Sequence, residues 1–539
     1  MSTGIHTAFS RRSFLKITGA MGAAAGLSAT LSACAGNNSS SSSSGTVNGE
    51  PNESGTIKAA ISYELGTNGY DPLTTTSALT IAANWHTLEG LTEIDPATGE
   101  VYAALADELP QIAGTAIDVT LRDGAVFHDG TEVTADDVVY SFERVLDEAN
   151  NSLYASFIPF ITSVTKQDDR TVTINLSQET GVLANRLAVV KIVPQAVVEA
   201  DPKAFDANPV GSGPWKMTDN GGTSKVVKFE RFADYTGPKP AQAAHMEWNI
   251  IPDSSTRTNA LQSDSVQAID SVPYLSIEQL EATDKVESVQ GFGLLFAMFN
   301  CSENNPFNDV RNRQAFLYGI DIDRVISTGM LGQASPATSF LQEDHPNYHK
   351  ASTVYSYDAD KARALFAETG LTSFRMLCTD HDWVKQCTPL IQESLNNLGI
   401  EVSFTERQSA DVYNTIDDAP DAYDVVIAPG DPSVFGSDPD LLMRWWYSSD
   451  TWTDSRMHWQ GSTEYNELQE ILNTGLAAAN VDEQSESWHK AFDFIAEQVP
   501  LYPLFHRKTP TAWDASTLVD FKPISLTGLS FLGVQTTRD

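Results

Sequence analysis

Cysteine is scarce, with four in 539 residues, which excludes a disulfide framework. Basic residues are few as well: 34 Lys and Arg stand against 71 Asp and Glu. A body this acidic repels nucleic acid and anionic lipid. It suits cationic or neutral solutes, or simply solubility at an exposed surface. Motifs that carry catalysis are missing. No C-x-x-C, H-E-x-x-H, phosphate loop or G-x-G-x-x-G fingerprint occurs, and Ser212 in Val210-Gly211-Ser212-Gly213-Pro214 does not fit a nucleophile elbow. The expectation is a protein that is not an enzyme and has no cofactor. His345 and His349 lie four apart, but Pro346 and Asn347 between them read as a loop, so no metal site is expected. Long apolar runs are absent too. Residues 17–31 make an apolar stretch of about 15 residues, short of the roughly 20 that a spanning helix needs.

That stretch has informative neighbours. Arg11, Arg12 and Lys16 precede it, and Leu31-Ser32-Ala33-Cys34 closes it. A charged start before a short Gly/Ala-rich run reads as a signal peptide. Ser10-Arg11-Arg12-Ser13-Phe14-Leu15-Lys16 resembles the twin-arginine export signal, which implies folding before export. Leu31-Ser32-Ala33-Cys34 resembles the lipobox of bacterial lipoproteins, whose cysteine is lipidated and becomes the first residue. The expected order is a leader over 1–33, then lipidated Cys34 and a Ser-rich tether over 34–55. Such a tether buries no core and stays flexible. The chain is expected on the outer face of the bacterial cytoplasmic membrane, held there only by lipid. Past the leader, 31 basic residues against 71 acidic ones give a formal charge of −40. Cys378 and Cys387 either pair or, with Cys301, serve as buried small apolar residues.

The 484 residues from 56 to 539 exceed what one core takes, so two or three domains are expected. Residues 117–121 and 172–176 alternate as half-buried strands. Thr134 and Asp137 form a capping box before a helix that carries Val138, Phe142 and Val145 on one face. Asp358 caps a helix that stops at Gly370, and a further helix bearing Ile391 and Leu395 stops at Gly399. Pro389 sits either in its first turn or inside a longer helix. A strand over 400–404 follows, and a last helix near 486–498 ends before Pro500 and an apolar tail. Strand–helix alternation of this kind predicts α/β layers.

Aromatic residues cluster in Arg444-Trp445-Trp446-Tyr447, with Trp452 and Trp459 close behind. Neighbours on a helix point to different faces, so these rings either line a cleft or pack on both sides of one helix.

Several segments together resemble the peptide/nickel (family 5) bacterial extracellular solute-binding proteins, the capture components of ATP-driven importers. They are Leu121-Arg122-Asp123-Gly124 through Phe127-His128-Asp129-Gly130 to Tyr140-Ser141-Phe142, the turn Gly211-Ser212-Gly213-Pro214-Trp215, Pro306-Phe307-Asn308-Asp309-Val310-Arg311, Tyr357-Asp358 and Val499-Pro500-Leu501-Tyr502-Pro503. The resemblance implies an α/β fold of two lobes, periplasmic-binding-protein-like (class II type), with an extra inserted domain and a ligand cleft between the lobes. It implies domain I over 56–95, 193–292 and 501–539, domain II over 96–192 and domain III over 293–500. The implied function is capture of oligopeptides or dipeptides and delivery to an ABC permease and its ATPase, by a monomer. The alternative is a non-peptide solute such as an oligosaccharide or a nickel chelate.

Cleft contacts are expected from Glu64 after the first strand, from Trp85 and Glu89 in the segment matching the family's L-Y-E-G-L, and from Trp383 between a strand and a helix. The segment 429–440 corresponds to a cleft loop, which adds Asp431, Phe435, Arg444, Trp445 and Trp446. Peptide-binding members carry there an Asp that pairs with the ligand's amino group. Aligning Asp438-Pro439-Asp440 with the family's D-P-D puts Phe435 at that position, and leaves Asp431 to serve only if the loop is rearranged.

Overall fold

The computed structural model describes residues 49–63, 65, 69–111, 113–478 and 480–539. The leader, Cys34 with most of the tether, and Glu64 lie outside the described residues.

Two trios of parallel strands anchor the fold. Thr56–Ile61 lies between Ala268–Ile269 and His245–Ile250 and runs parallel to both. Ser373–Thr379 lies between Glu401–Arg407 and Val425–Gly430 in the same way. Parallel pairing demands crossovers, and the helix Asp382–Asn396 supplies one between Ser373–Thr379 and Glu401–Arg407. Pro389 sits inside that helix, and Trp383 is already in its first turn rather than in a loop before it.

Two long antiparallel strands, Lys285–Phe299 and Leu501–Trp513, join the trios into one eleven-stranded sheet. At ~3.3 Å per residue each spans on the order of 45 Å, enough to belong to both lobes. The inner end of the first, Leu294–Phe299, pairs with Val425–Gly430, and the outer end of the second, Ala512 and Trp513, pairs with Ala268–Ile269. Between the two halves the register breaks. Gln290 faces Lys508 and Leu294 faces His506, so Gly291, Phe292 and Gly293 oppose Arg507 alone. His506 Nδ1 donates to the Phe292 carbonyl at 2.7 Å and ties the bulge down. Burial lowers the His506 pKa to about 4, so the ring stays neutral there. Gly291 is required by close approach, because a Cβ would stand 2.5 Å from the Ser525 carbonyl.

A smaller layer pairs Ala116–Thr120 and Ile161–Lys166 with Thr171–Leu176 and lays the helix Ala135–Leu146 over them. The predicted capping box is present: Asp137 Oδ2 accepts from the Thr134 N–H at 3.0 Å and from its hydroxyl at 2.7 Å. This layer is pinned to the first lobe by motif against motif. His128 Nε2 donates to the Gly213 carbonyl at 2.9 Å, and the Gly211 N–H donates to His128 Nδ1 at 3.3 Å. Both glycines press on the end of the helix Ala78–Thr87: a Cβ on Gly211 would sit 1.9 Å from the Thr87 carbonyl, and one on Gly213 2.5 Å from that of His86. Arg144 adds an ion pair to Asp71 at 2.7 Å. Cys301, Cys378 and Cys387 are free and buried.

Candidate ligand-binding cleft

Three parallel strands end at one place. Thr56–Ile61 runs out into Tyr63, Ser373–Thr379 into His381 and Trp383, and Val425–Gly430 into Asp431. Carboxyl ends of parallel strands are the usual ligand positions in open α/β sheets. The helix Ala78–Thr87 brings Ala78 and Ile81 to the same point, and the linking strands bring Leu294 and Arg507. Together they enclose a cavity of about 180 Å³.

A space of about 310 Å³ adjoins it on one side through Val434, lined by Trp85, Glu93, Lys191, His345 and Phe435 among others. On the other side a space of about 490 Å³ shares Tyr63, His381, Trp383 and Arg507 with the central cavity. The cleft is thus a chain of three spaces, within the roughly 300–1,000 Å³ usual for small-molecule sites.

Arg507 and Asp431 are the opposed charges of the central cavity. Arg507 is buried on its strand opposite the bulge, with its guanidinium 5.2 Å from the centre of the Trp383 ring. Burial opposes its charge, but the oxygens of Tyr63, Tyr274 and Asp431 outweigh that and strengthen its hold on the proton. Among the described residues it forms no ion pair. Asp431 caps the short turn Pro432–Phe435, its Oδ1 accepting from the Ser433 N–H at 3.3 Å and from the Ser433 hydroxyl. Burial raises the pKa of its carboxyl. Gly293 lies between the two: a Cβ there would be 3.3 Å from Asp431 Oδ2 and 3.6 Å from Arg507 Nε.

The structure brings Trp85, Trp383, Asp431 and Phe435 to the lining of these spaces. It places Glu89, Arg444, Trp445 and Trp446 outside it. Glu89 is buried in a two-pronged pair with Arg122, at 2.8 and 3.0 Å, and accepts from the Tyr235 hydroxyl. Arg444 is spent on Asp440 at 2.9 Å and on Asn473 at 3.0 Å. Trp446 packs behind Gly430, against Phe296 and Trp452. Trp445 stacks on Phe157 and leans on Phe435. Glu64 lies outside the described residues. His345 donates to or accepts from backbone only, at Ser437 and Asn347, while His349 stacks on His489. Among the described residues no cluster of three metal-ligating side chains occurs.

Asp438 and Asp440 are committed too. Arg186, fully buried on the helix Leu183–Leu187 of the small layer, donates to both Asp438 oxygens at 2.7 and 2.9 Å and to Asp440 at 2.9 Å. This pair bridges the small layer and the second lobe. Tyr154 and Phe157 of the small layer pack on Phe435 beside it, 5.4 and 5.5 Å between centres.

The sequence model of the bacterial extracellular solute-binding proteins, family 5 (middle region), matches residues 100–466. The chain belongs to this family. Family 5 members are the solute-binding components of ABC importers, not enzymes. A twin-arginine translocation signal sequence matches residues 8–28, and with the family it makes this an exported, extracytoplasmic protein. The heme-binding protein A of Haemophilus influenzae is 25% identical over 453 residues, 78% of this chain and 80% of that protein. Two solved family-5-like folds superpose closely. One is the dipeptide-binding protein of Pseudoalteromonas sp. SM9913 with Met-Leu (TM-score 0.78, 21% identity, 89% of this chain and 100% of that one). The other is the binding protein AgaA of A. tumefaciens R10 with agropinic acid (TM-score 0.79, 24% identity, 90% and 99%). The expected two-lobed α/β architecture is therefore the fold of this family 5 chain.

Sequence reasoning missed Arg507, Tyr63, His381 and Thr527, which all line the central cavity. Arg507 left one signal: a guanidinium amid the apolar tail over 501–513 needs a reason to be buried.

Proposed function

We propose that this protein captures short peptides, dipeptides or oligopeptides, in the cleft and delivers them to a membrane permease. The observation that carries this reading is the pair of opposed charges across one cavity. Arg507 suits a ligand carboxylate in a two-pronged contact, and Asp431 suits an ammonium. Phe435 faces the adjoining space as an apolar wall, so Asp431 takes the role that the family's alignment assigns to position 435. A buried ammonium without such a carboxylate is costly. The flat rings of Trp85 and Trp383, one in each flanking space, favour a second reading, an oligosaccharide.

A melting-temperature screen with dipeptide, tetrapeptide, saccharide and nickel–histidine pools tests this, since a ligand that binds the folded state raises Tm. Peptides are expected to raise it; a shift with saccharides or chelates alone overturns the peptide reading. We further propose domains at the expected limits of 56–95, 96–192, 193–292, 293–500 and 501–539, a monomeric state, and lipid anchoring at Cys34. Cys34→Ser should release the protein or leave it as precursor in fractionated cells while ligand binding is unchanged. Continued membrane retention of a processed Cys34→Ser protein would refute the anchor.

A further inference from the structure

The space of about 490 Å³ beyond Trp383 is larger than the central cavity and differs from it in chemistry. Part of its wall is Pro252, Val272, Pro273, Tyr274 and Pro510, interrupted by Ser62, Ser254 and Ser271. Proline has no N–H, so at Pro252, Pro273 and Pro510 the backbone offers no donor to a polar ligand. Of the two arginines that line it, Arg257 is already used up. Arg257 donates to the carbonyls of Ile251 and Pro252, both at 2.9 Å, and to those of Asp270 at 3.2 Å and Ser271 at 2.8 Å. It braces the wall and presents no free charge. Polar side chains, Asp382, Gln386 and Thr328, stand at the exposed rim.

Two leucines flank the mouth. Leu275 of the first lobe is 85% exposed and Leu331 of the second 45%. Only five large apolar side chains are exposed among the described residues, and two of them line this one space. Isolated exposed leucines need no explanation, but a pair around a cavity does. Leu331 is also held at φ +50°, a left-handed conformation that leucine avoids. It follows a π-helical turn, Val325–Gly329, whose Gly329 leaves no room for a side chain beside Gln386 and Cys387. Strained backbone that persists at a cavity mouth points to a use for the side chain it presents.

We propose that this outer space is a subsite for a long apolar substituent carried at the carboxylate end of the ligand, lying between Leu275 and Leu331 and free to extend into solvent. It rests on the opposed-charge reading of the central cavity: with the carboxylate at Arg507, the guanidinium that borders both spaces, the group next to that carboxylate faces the proline wall. The preferred ligands are then peptides ending in a large apolar residue, with no upper limit on side-chain length.

Calorimetric titration of the purified exported protein with Gly-Ala, Gly-Leu, Gly-Phe and glycyl-2-aminodecanoic acid tests this, with Leu-Gly and Phe-Gly as reversed controls. Affinity should rise along the first series by about fourfold for each further methylene buried. The surface double variant Leu275→Ser/Leu331→Ser should weaken the 2-aminodecanoyl ligand about tenfold and leave Gly-Ala and Leu-Gly unchanged. Equal affinity along the series, or equal loss for all ligands in the variant, overturns the subsite while the charge reading stands. Failure of every dipeptide, small or large, overturns the charge reading and the subsite with it.

Discussion

The cleft has two ends, and they are closed by different chemistry. At the Phe435 end, Arg186 crosses between the small layer and the second lobe to two carboxylates, all three buried, and Tyr154, Phe157, Phe435 and Trp445 pack around it. At the Leu275 end, prolines and leucines face each other, and among the described residues no ion pair joins the lobes. A buried ion pair tolerates little displacement, because separating the partners leaves bare charge out of water. An apolar mouth tolerates a great deal, because its energy scales with area and not with alignment. One end therefore fixes how the lobes meet, and the other leaves what they hold free to vary.

The largest effect should come from breaking the fixed end. Arg186→Met strands Asp438 without its cation, while Asp440 keeps Arg444, and the urea midpoint should fall by the equivalent of about 3–5 kcal/mol. Restoring neutrality with Arg186→Met/Asp438→Asn should recover much of that loss. An unchanged midpoint in the single variant would mean that the two ends do not differ in this way. The next effect belongs to the centre. Arg507→Met should weaken a dipeptide by at least about thirtyfold, on the order of 2 kcal/mol, measured by calorimetry, with a smaller change in Tm than Arg186→Met gives. If Tm collapses in Arg507→Met and affinity does not, the guanidinium is scaffold and not anchor. The smallest effect is in pH. Burial raises the Asp431 carboxyl, so on acidification it takes up its proton earlier than an ordinary carboxylate and loses its hold on an ammonium. Dipeptide affinity should fall as pH drops, starting above the usual carboxylate range, and the fall should vanish in Asp431→Asn. A pH profile identical in the two proteins removes Asp431 from the site.

Much of the fold was legible because its markers are demands of the backbone. Gly211 and Gly213 are readable as motif since nothing larger fits against the Thr87 and His86 carbonyls. Asp358 caps its helix by accepting from the Lys361 N–H at 3.0 Å, and Gly370 ends that helix at φ +76°, both local decisions. The site was less legible because long-range pairing decides it. Glu89 matches a family segment near the cleft, yet Arg122, 33 positions later, turns it into an ion pair. Adjacent Trp445 and Trp446 had to diverge, but only the packing of Gly430 decides which of them backs the cavity. Arg507 reads as an intruder in an apolar strand until the bulge opposite it is known.

That bulge has a mechanical meaning. Three residues facing one leave the only long gap in the ladder of the two strands that run through both lobes, so rotation between the lobes costs least there. Arg507 sits at this fulcrum. A solute gripped at the pivot moves little when the arms swing, and it can stay seated while the distant lobe tips travel.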